Sequence, residues 1–95
     1  MTTKEITLKV RDWFNFSDKV VDHIDNYVVP QYGDKGEDLA TNYTVNDCKL
    51  QMQRYLNRQG RNSRPDQDKL DLIKIAHYAQ LAHTLLEEQE NAKSN

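Results

Sequence analysis

Apolar positions recur at helical spacing along most of this chain. Val20, Val21, Ile24, Tyr27 and Val28 share one face of a predicted helix that Ser17 can cap and Pro30 can stop. The preceding segment, residues 1–14, is ambiguous. Ile6, Leu8 and Val10 alternate as in a strand, whereas Ile6, Val10, Trp13 and Phe14 fit one helical face, and a helix or irregular arm is expected. Residues 31–42 contain Gly33, Gly36 and several acids and read as a loop, with Tyr32 and Leu39 available to order it.

Two stronger helical signals follow. Thr44 and Asp47 have capping-box spacing, and Gly60 stands where a left-handed C-cap is expected, so a helix is predicted from about Val45 to Gln59. Val45, Cys48, Met52, Tyr55 and Leu56 fall on one face, with Arg54 and Arg58 placed on the polar side. The last helix is predicted from near Pro65, with Ser63 and Asp66 in capping spacing, to about Glu90, leaving 91–95 as a frayed tail. It carries two apolar stripes. One comprises Leu72, Ile75, Ala76, Ala79, Ala82 and Leu86, and the other Leu70, Ile73, Leu81 and Leu85. The fold class expected is all-α, a small bundle of three to four helices ending in a helical hairpin and forming a single domain over residues 1–95.

A helix apolar on two sides needs more cover than one neighbour gives. At 95 residues, 37% hydrophobic and 29% charged, with mean hydropathy -0.93, the chain builds only a small core, and a homo-oligomer is expected. No apolar run is long enough to span a bilayer, and the lone Cys48 cannot form an internal disulfide. The chain therefore reads as cytoplasmic, with no membrane partner.

Charge brings in the first chemical clue. The formal net charge is -2, yet four of the five arginines, Arg54, Arg58, Arg61 and Arg64, cluster together, and no acid lies between Asp47 and Asp66. Guanidinium forks suit phosphate or carboxylate, so the cluster predicts an anionic partner. The overall acidic balance makes a general nucleic-acid binder the less favoured form of it. Asn62 and Ser63 add neutral donors. On the last helix Asp71, Lys74, His77 and Tyr78 project along neighbouring turns and can meet the arginines across a hairpin. In the functional reading Asp71 orients an arginine, Lys74 and Arg58 hold phosphate oxygens, His77 hydrogen-bonds the ligand, and Tyr55 or Tyr78 stacks on a base. In the plainer reading Asp71 and Arg58 simply tie two helices together.

Other signatures are missing. There is no G-x-x-x-x-G-K-[ST] loop, and His23, His77 and His83 lack H-x-x-x-H spacing, so neither a cofactor nor a metal site is predicted. Glu87, Glu88 and Glu90 read as a solvated helix end, and Cys48, on the apolar face, as a core thiol.

Arg54-Tyr55-Leu56, then Arg58, Gly60, Arg61 and Asn62, followed by Asp71-Leu72, Lys74 and His77-Tyr78, resembles a family of small phage proteins described as nucleotide-kinase-like. The likeness spans residues 48–86. It implies the helical hairpin, a phage origin with residence in the host cytoplasm, and a nucleotide ligand. The family's N-terminal His-Pro-x-His-Tyr segment has no counterpart here, so no catalytic residue is carried over. Asp71-Leu72 and Ala76-His77-Tyr78-Ala79 also resemble small all-α nucleotide-modification proteins related to pyrophosphohydrolases, without their metal-binding glutamates. Two functions are thereby expected: binding of a phosphate-bearing ligand by Arg54, Tyr55, Arg58, Arg61, Asn62, Arg64, Asp71, Lys74, His77 and Tyr78, or, as the alternative, a non-enzymatic protein–protein interaction module such as an inhibitor of a host or defence factor.

Overall fold

The computed structural model describes residues 5–34 and 43–93. Among them every regular element is helical, as the periodicity predicts. The chain divides into two compact units, Met1–Gly33 and Asp34–Asn95.

In the first unit α1 spans Leu8–His23. The ambiguity at the N-terminus is thus resolved in favour of helix from Leu8 onward. Thr7, not Ser17, is the N-cap: its Oγ1 accepts from the Val10 N–H at 3.2 Å. Ser17 lies inside the helix, where its hydroxyl donates to the Phe14 carbonyl at 3.0 Å, the local bond a mid-helix serine can make without ending the turn. Pro30 does not stop the chain either. A π-helical turn over Ile24–Val28, in which Val29 N–H reaches the Ile24 carbonyl five residues back, leads into α2, Val29–Tyr32. Proline lacks an N–H and crowds the carbonyl four residues earlier, here Asn26, and the wider π turn contains that carbonyl. The helix ends instead at Gly33, whose φ of 85° is open to glycine, with its N–H on the Val29 carbonyl at 2.8 Å. Tyr32 belongs to this last turn, while residues 35–42, including Leu39, lie outside the described residues.

The second unit is a hairpin of α3, Val45–Asn57, and α4, Gln67–Lys93. The capping box forms as spelled: Thr44 Oγ1 accepts from Asp47 N–H at 3.0 Å, and Asp47 Oδ2 accepts from Thr44 N–H at 2.9 Å. Gly60 adopts φ 80° in the bend. The start of α4 differs from expectation. Asp66 sits in the left-handed region at φ 68°, and its carbonyl accepts from Leu70 N–H at 3.0 Å, so the helix opens at Gln67 and the Ser63–Asp66 box does not form. Proline at 65 keeps Arg64 out of the helical region, and aspartate tolerates the left-handed turn that follows. At the far end α4 runs to Lys93, three residues past the predicted stop at Glu90.

Early α3 meets late α4. Cys48, Ala82 and Leu85 are buried together, with Tyr43, Val45, Tyr78 and Leu81 packed against them, and Tyr55 is buried about two turns nearer the bend. Cys48 is the core thiol its helical position predicts. The side of α4 that α3 covers runs between the two stripes, taking Ala82 from one and Leu85 from the other, because a 13-residue helix screens one side of a 27-residue one. Leu56 and Leu72 stay exposed. No helix among the described residues is long and apolar enough to cross a membrane.

Candidate functional site

Asp71 is the centre of the hairpin's polar end. Its side chain is fully buried, one helical turn into α4, where the bend folds back over it. A carboxylate in such a place requires a full set of donors. It has them: Arg58 Nε donates to Oδ2 and Arg58 Nη2 to Oδ1, both at 2.6 Å, Asn62 Nδ2 donates to Oδ2 at 3.1 Å, and Gln67 Nε2 to Oδ1 at 2.9 Å. The Arg58 bonds hold the Asp71 carboxyl down to about 2 from its ordinary 3.8, against the upward push of burial, with Gln67 and Asn62 adding to the lowering. The same bond raises the Arg58 guanidinium above its ordinary value.

Asp68 organises the bend around this pair. Its carboxylate accepts from Gly60 N–H at 3.1 Å and from Asn62 Nδ2 at 2.7 Å, and its backbone carbonyl accepts from Gln59 Nε2 at 2.9 Å. Asn62 therefore bridges two aspartates with one amide nitrogen. The loop is fixed by side chains, since Arg61 N–H to the Arg58 carbonyl at 3.0 Å and Gln59 N–H to the Leu56 carbonyl at 3.2 Å are among its few backbone bonds.

Arg58 is not the projecting polar-face residue the helical wheel predicts. It caps α3 with φ -95° and ψ 1°, and leaving helical geometry there swings its side chain across to Asp71, 34% exposed. Tyr55 also departs from its expected role. At 7% exposure it lies in the core, stacked with Tyr78 at 6.1 Å between centroids, so its ring is not open to a base. Instead it is a platform for charge: Arg58 lies 5.1 Å, Lys74 Nζ 5.3 Å and Arg54 5.4 Å from its centroid. Tyr78 continues the aromatic cluster to Tyr43 at 6.5 Å and His77 at 6.3 Å.

On the solvent side of the Arg58–Asp71 pair is an open recess of ≈ 300 Å³ lined by Arg58, Asn62, Ser63, Arg64, Gln67 and Lys74. It brings together Arg58, Asn62, Arg64 and Lys74 of the predicted set, with Asp71 bonded to three of its lining side chains. Arg54, Tyr55, His77 and Tyr78 are not in its lining, and Arg61 is exposed on the bend outside it. Two contributors escaped sequence reasoning. Gln67 stands four residues before Asp71, a spacing that marks a helical amide–carboxylate pair, whereas nothing local announces the reach of Asp68 back to Gly60.

The recess can do simple chemistry. Arg64 and Lys74 form no ion pair with a carboxylate among the described residues, while Arg58 is neutralised by Asp71. Two cations thus stand beside amide and hydroxyl donors without a lining acid, an arrangement that favours an anion. Among the described residues no group of three or more histidine, cysteine, aspartate or glutamate side chains converges to hold a metal. Comparison with known protein families, with curated proteins and with solved structures finds no match for this chain.

Proposed function

We propose that the hairpin bend binds a phosphate-bearing ligand, a nucleotide, with Arg64 and Lys74 on the phosphate oxygens and Asn62, Ser63 and Gln67 supplying neutral donors. The observation that carries this reading is the composition of the recess lining: three cations, three neutral polar side chains and no carboxylate. Charge sets the ligand class. With Arg58 cancelled by Asp71, two positive charges remain, the complement of a phosphate dianion. The recess volume is at the lower end of the range used by small-molecule sites, enough for phosphates and part of a nucleoside. The resemblance of residues 48–86 to nucleotide-kinase-like phage proteins supports the same ligand class.

The test is calorimetric titration of the chain with nucleoside mono-, di- and triphosphates. One of them binds saturably, and Arg64→Ala and Lys74→Ala each lower its affinity about tenfold, the loss expected for one charge-assisted bond. Equal affinity of both variants and the parent chain refutes the assignment.

A second reading rests on a different observation. In α1 Trp13 and Phe14 are exposed, and Trp13 contacts Phe16 at 5.7 Å, an aromatic surface of the kind that anchors protein–protein contacts. The alternative of an interaction module directed at a host factor belongs to that surface. Under it the titration shows no nucleotide binding at all.

A further inference from the structure

The side chains that line the recess, Arg58, Asn62, Ser63, Arg64, Gln67 and Lys74, are all polar. Phosphate oxygens ask only for charge and for N–H or O–H donors. A nucleobase is told from another by amides turned to its edge, and is held by a flat ring to stack on. The rings of this hairpin are turned elsewhere. Tyr55 and Tyr78 are stacked on each other at 6.1 Å between centroids, and neither lines the recess. The two amides are turned to carboxylates: Asn62 Nδ2 donates to Asp68 at 2.7 Å and to Asp71 at 3.1 Å, and Gln67 Nε2 donates to Asp71 at 2.9 Å. A guanidinium plane stacks on bases, but on every base alike.

Arg58 adds a fork of fixed direction. A guanidinium carries five N–H donors, arranged along edges that each fit a pair of oxygens. Its Nε–Nη2 edge is taken by Asp71, with both bonds at 2.6 Å. Asp71 is fully buried, so that edge faces inward. The Tyr55 ring, with its centroid 5.1 Å from Arg58 Cζ, supports the guanidinium from one side. What Arg58 contributes to the recess wall is therefore its remaining Nη1–Nη2 edge, which makes no hydrogen bond among the described residues. Asp71 cancels the charge of Arg58 but leaves these donors. Lys74 Nζ stands 5.3 Å from the centroid of the same ring, so Tyr55 holds two of the three recess cations.

We infer that the recess recognises its ligand by the phosphate alone and does not discriminate the base. The Nη1–Nη2 edge of Arg58 makes a two-pronged contact with phosphate oxygens, Arg64 and Lys74 balance the charge, and the base lies outside. Asp71 is the positioning residue that aims this edge. The inference rests on the reading of the recess as a phosphate site and names the part of the ligand that is read.

Calorimetric titration with inorganic phosphate, pyrophosphate and triphosphate tests it, each beside the adenine, guanine, cytosine and uracil nucleotides of the same phosphate number. At the phosphate number that binds, the inorganic ion and the four nucleotides are expected to agree within about threefold, whereas a base read at its edge separates them by about tenfold or more. A preference of that size for one base, or a nucleotide bound where the inorganic ion is not, overturns the inference and leaves the nucleotide site standing. Binding of the inorganic ion without any nucleotide overturns the nucleotide site and leaves the phosphate recognition, and no binding of any of them overturns both. The Arg58 contact has its own readout. Arg58→Lys keeps a cation against Asp71 but has no second edge, and is expected to lower affinity for the inorganic ion about tenfold while the chain stays helical by circular dichroism. The parent chain gives the same test without a substitution: in nitrogen-15 NMR the Arg58 Nη1 resonance moves as the inorganic ion saturates, while Nε, bonded to Asp71, does not. An unmoved Nη1 resonance, or unchanged affinity of a folded Arg58→Lys chain, overturns the contact.

Discussion

Asp71 is held by four hydrogen bonds in a place where no water reaches it, and the cost of disturbing it follows from that burial. Removing Arg58 leaves a buried carboxylate without its counter-charge, so Arg58→Ala is expected to lower the unfolding free energy by about 3 kcal/mol in urea titrations. A loss below about 1 kcal/mol would show the pair to be a surface tie. For that reason ligand binding is tested at Arg64 and Lys74, whose truncation uncovers no buried charge. The pH dependence has a definite sign. The Asp71 pKa is depressed from 3.8 to about 2 on folding, chiefly by the Arg58 hydrogen bonds, so its stabilisation is complete above the unfolded value and fades as pH falls between them. The amount is about 2 kcal/mol at about 1.36 kcal/mol per unit. Denaturant midpoints measured from pH 4.5 to 2 should fall more steeply for the parent chain than for Asp71→Asn, and parallel curves would refute the linkage. The meeting of Arg58 with Asp71 was one of two readings open to the sequence, because a hairpin with a bend near Gly60 brings the end of one helix to the start of the next. What hid the outcome was the backbone at Arg58. A residue assumed helical points to the polar face, and leaving the helix there points it inward.

At the scale of the element, boundaries were legible where side chains write them. Thr44 and Asp47 spell a box and make one, and Thr44→Ala should lower the thermal midpoint by the equivalent of about 1 kcal/mol, with no change expected at Ser17→Ala, whose hydroxyl serves only a mid-helix carbonyl. Equal effects at both positions would contradict the assignment of caps. Pro30 and Pro65 misled in opposite directions. The first is carried inside a helix by a π turn, which depends on the geometry of five preceding residues, and the second stands outside a helix it was expected to begin, because Asp66 turns left-handed after it. Proline restricts its own φ and the residue before it, and leaves the rest to the neighbours. The same limit applies to α4: its apolar residues mark two stripes correctly as apolar, but which side is covered depends on where α3 lies.

At the scale of the whole molecule the described residues form two units, and the second is a hairpin whose apolar core is small, with Cys48, Tyr55, Ala82 and Leu85 its buried apolar members and a polar knot at one end. Helical period and net charge are properties of order along the chain, and the sequence by itself determined them: an all-α protein, its hairpin, its arginine cluster and the apolar surplus of its last helix. Whether a given arginine meets a carboxylate or solvent, and whether a tyrosine stacks on a ligand or on another tyrosine, depends on groups brought near only by folding. The tertiary structure therefore stacked Tyr55, already on the apolar face of its helix, against Tyr78, spent Arg58 on Asp71, and left Arg64 and Lys74 as the recess cations without an acidic partner among the described residues, because side-chain reach and partners are set by the fold and not by spacing along the chain.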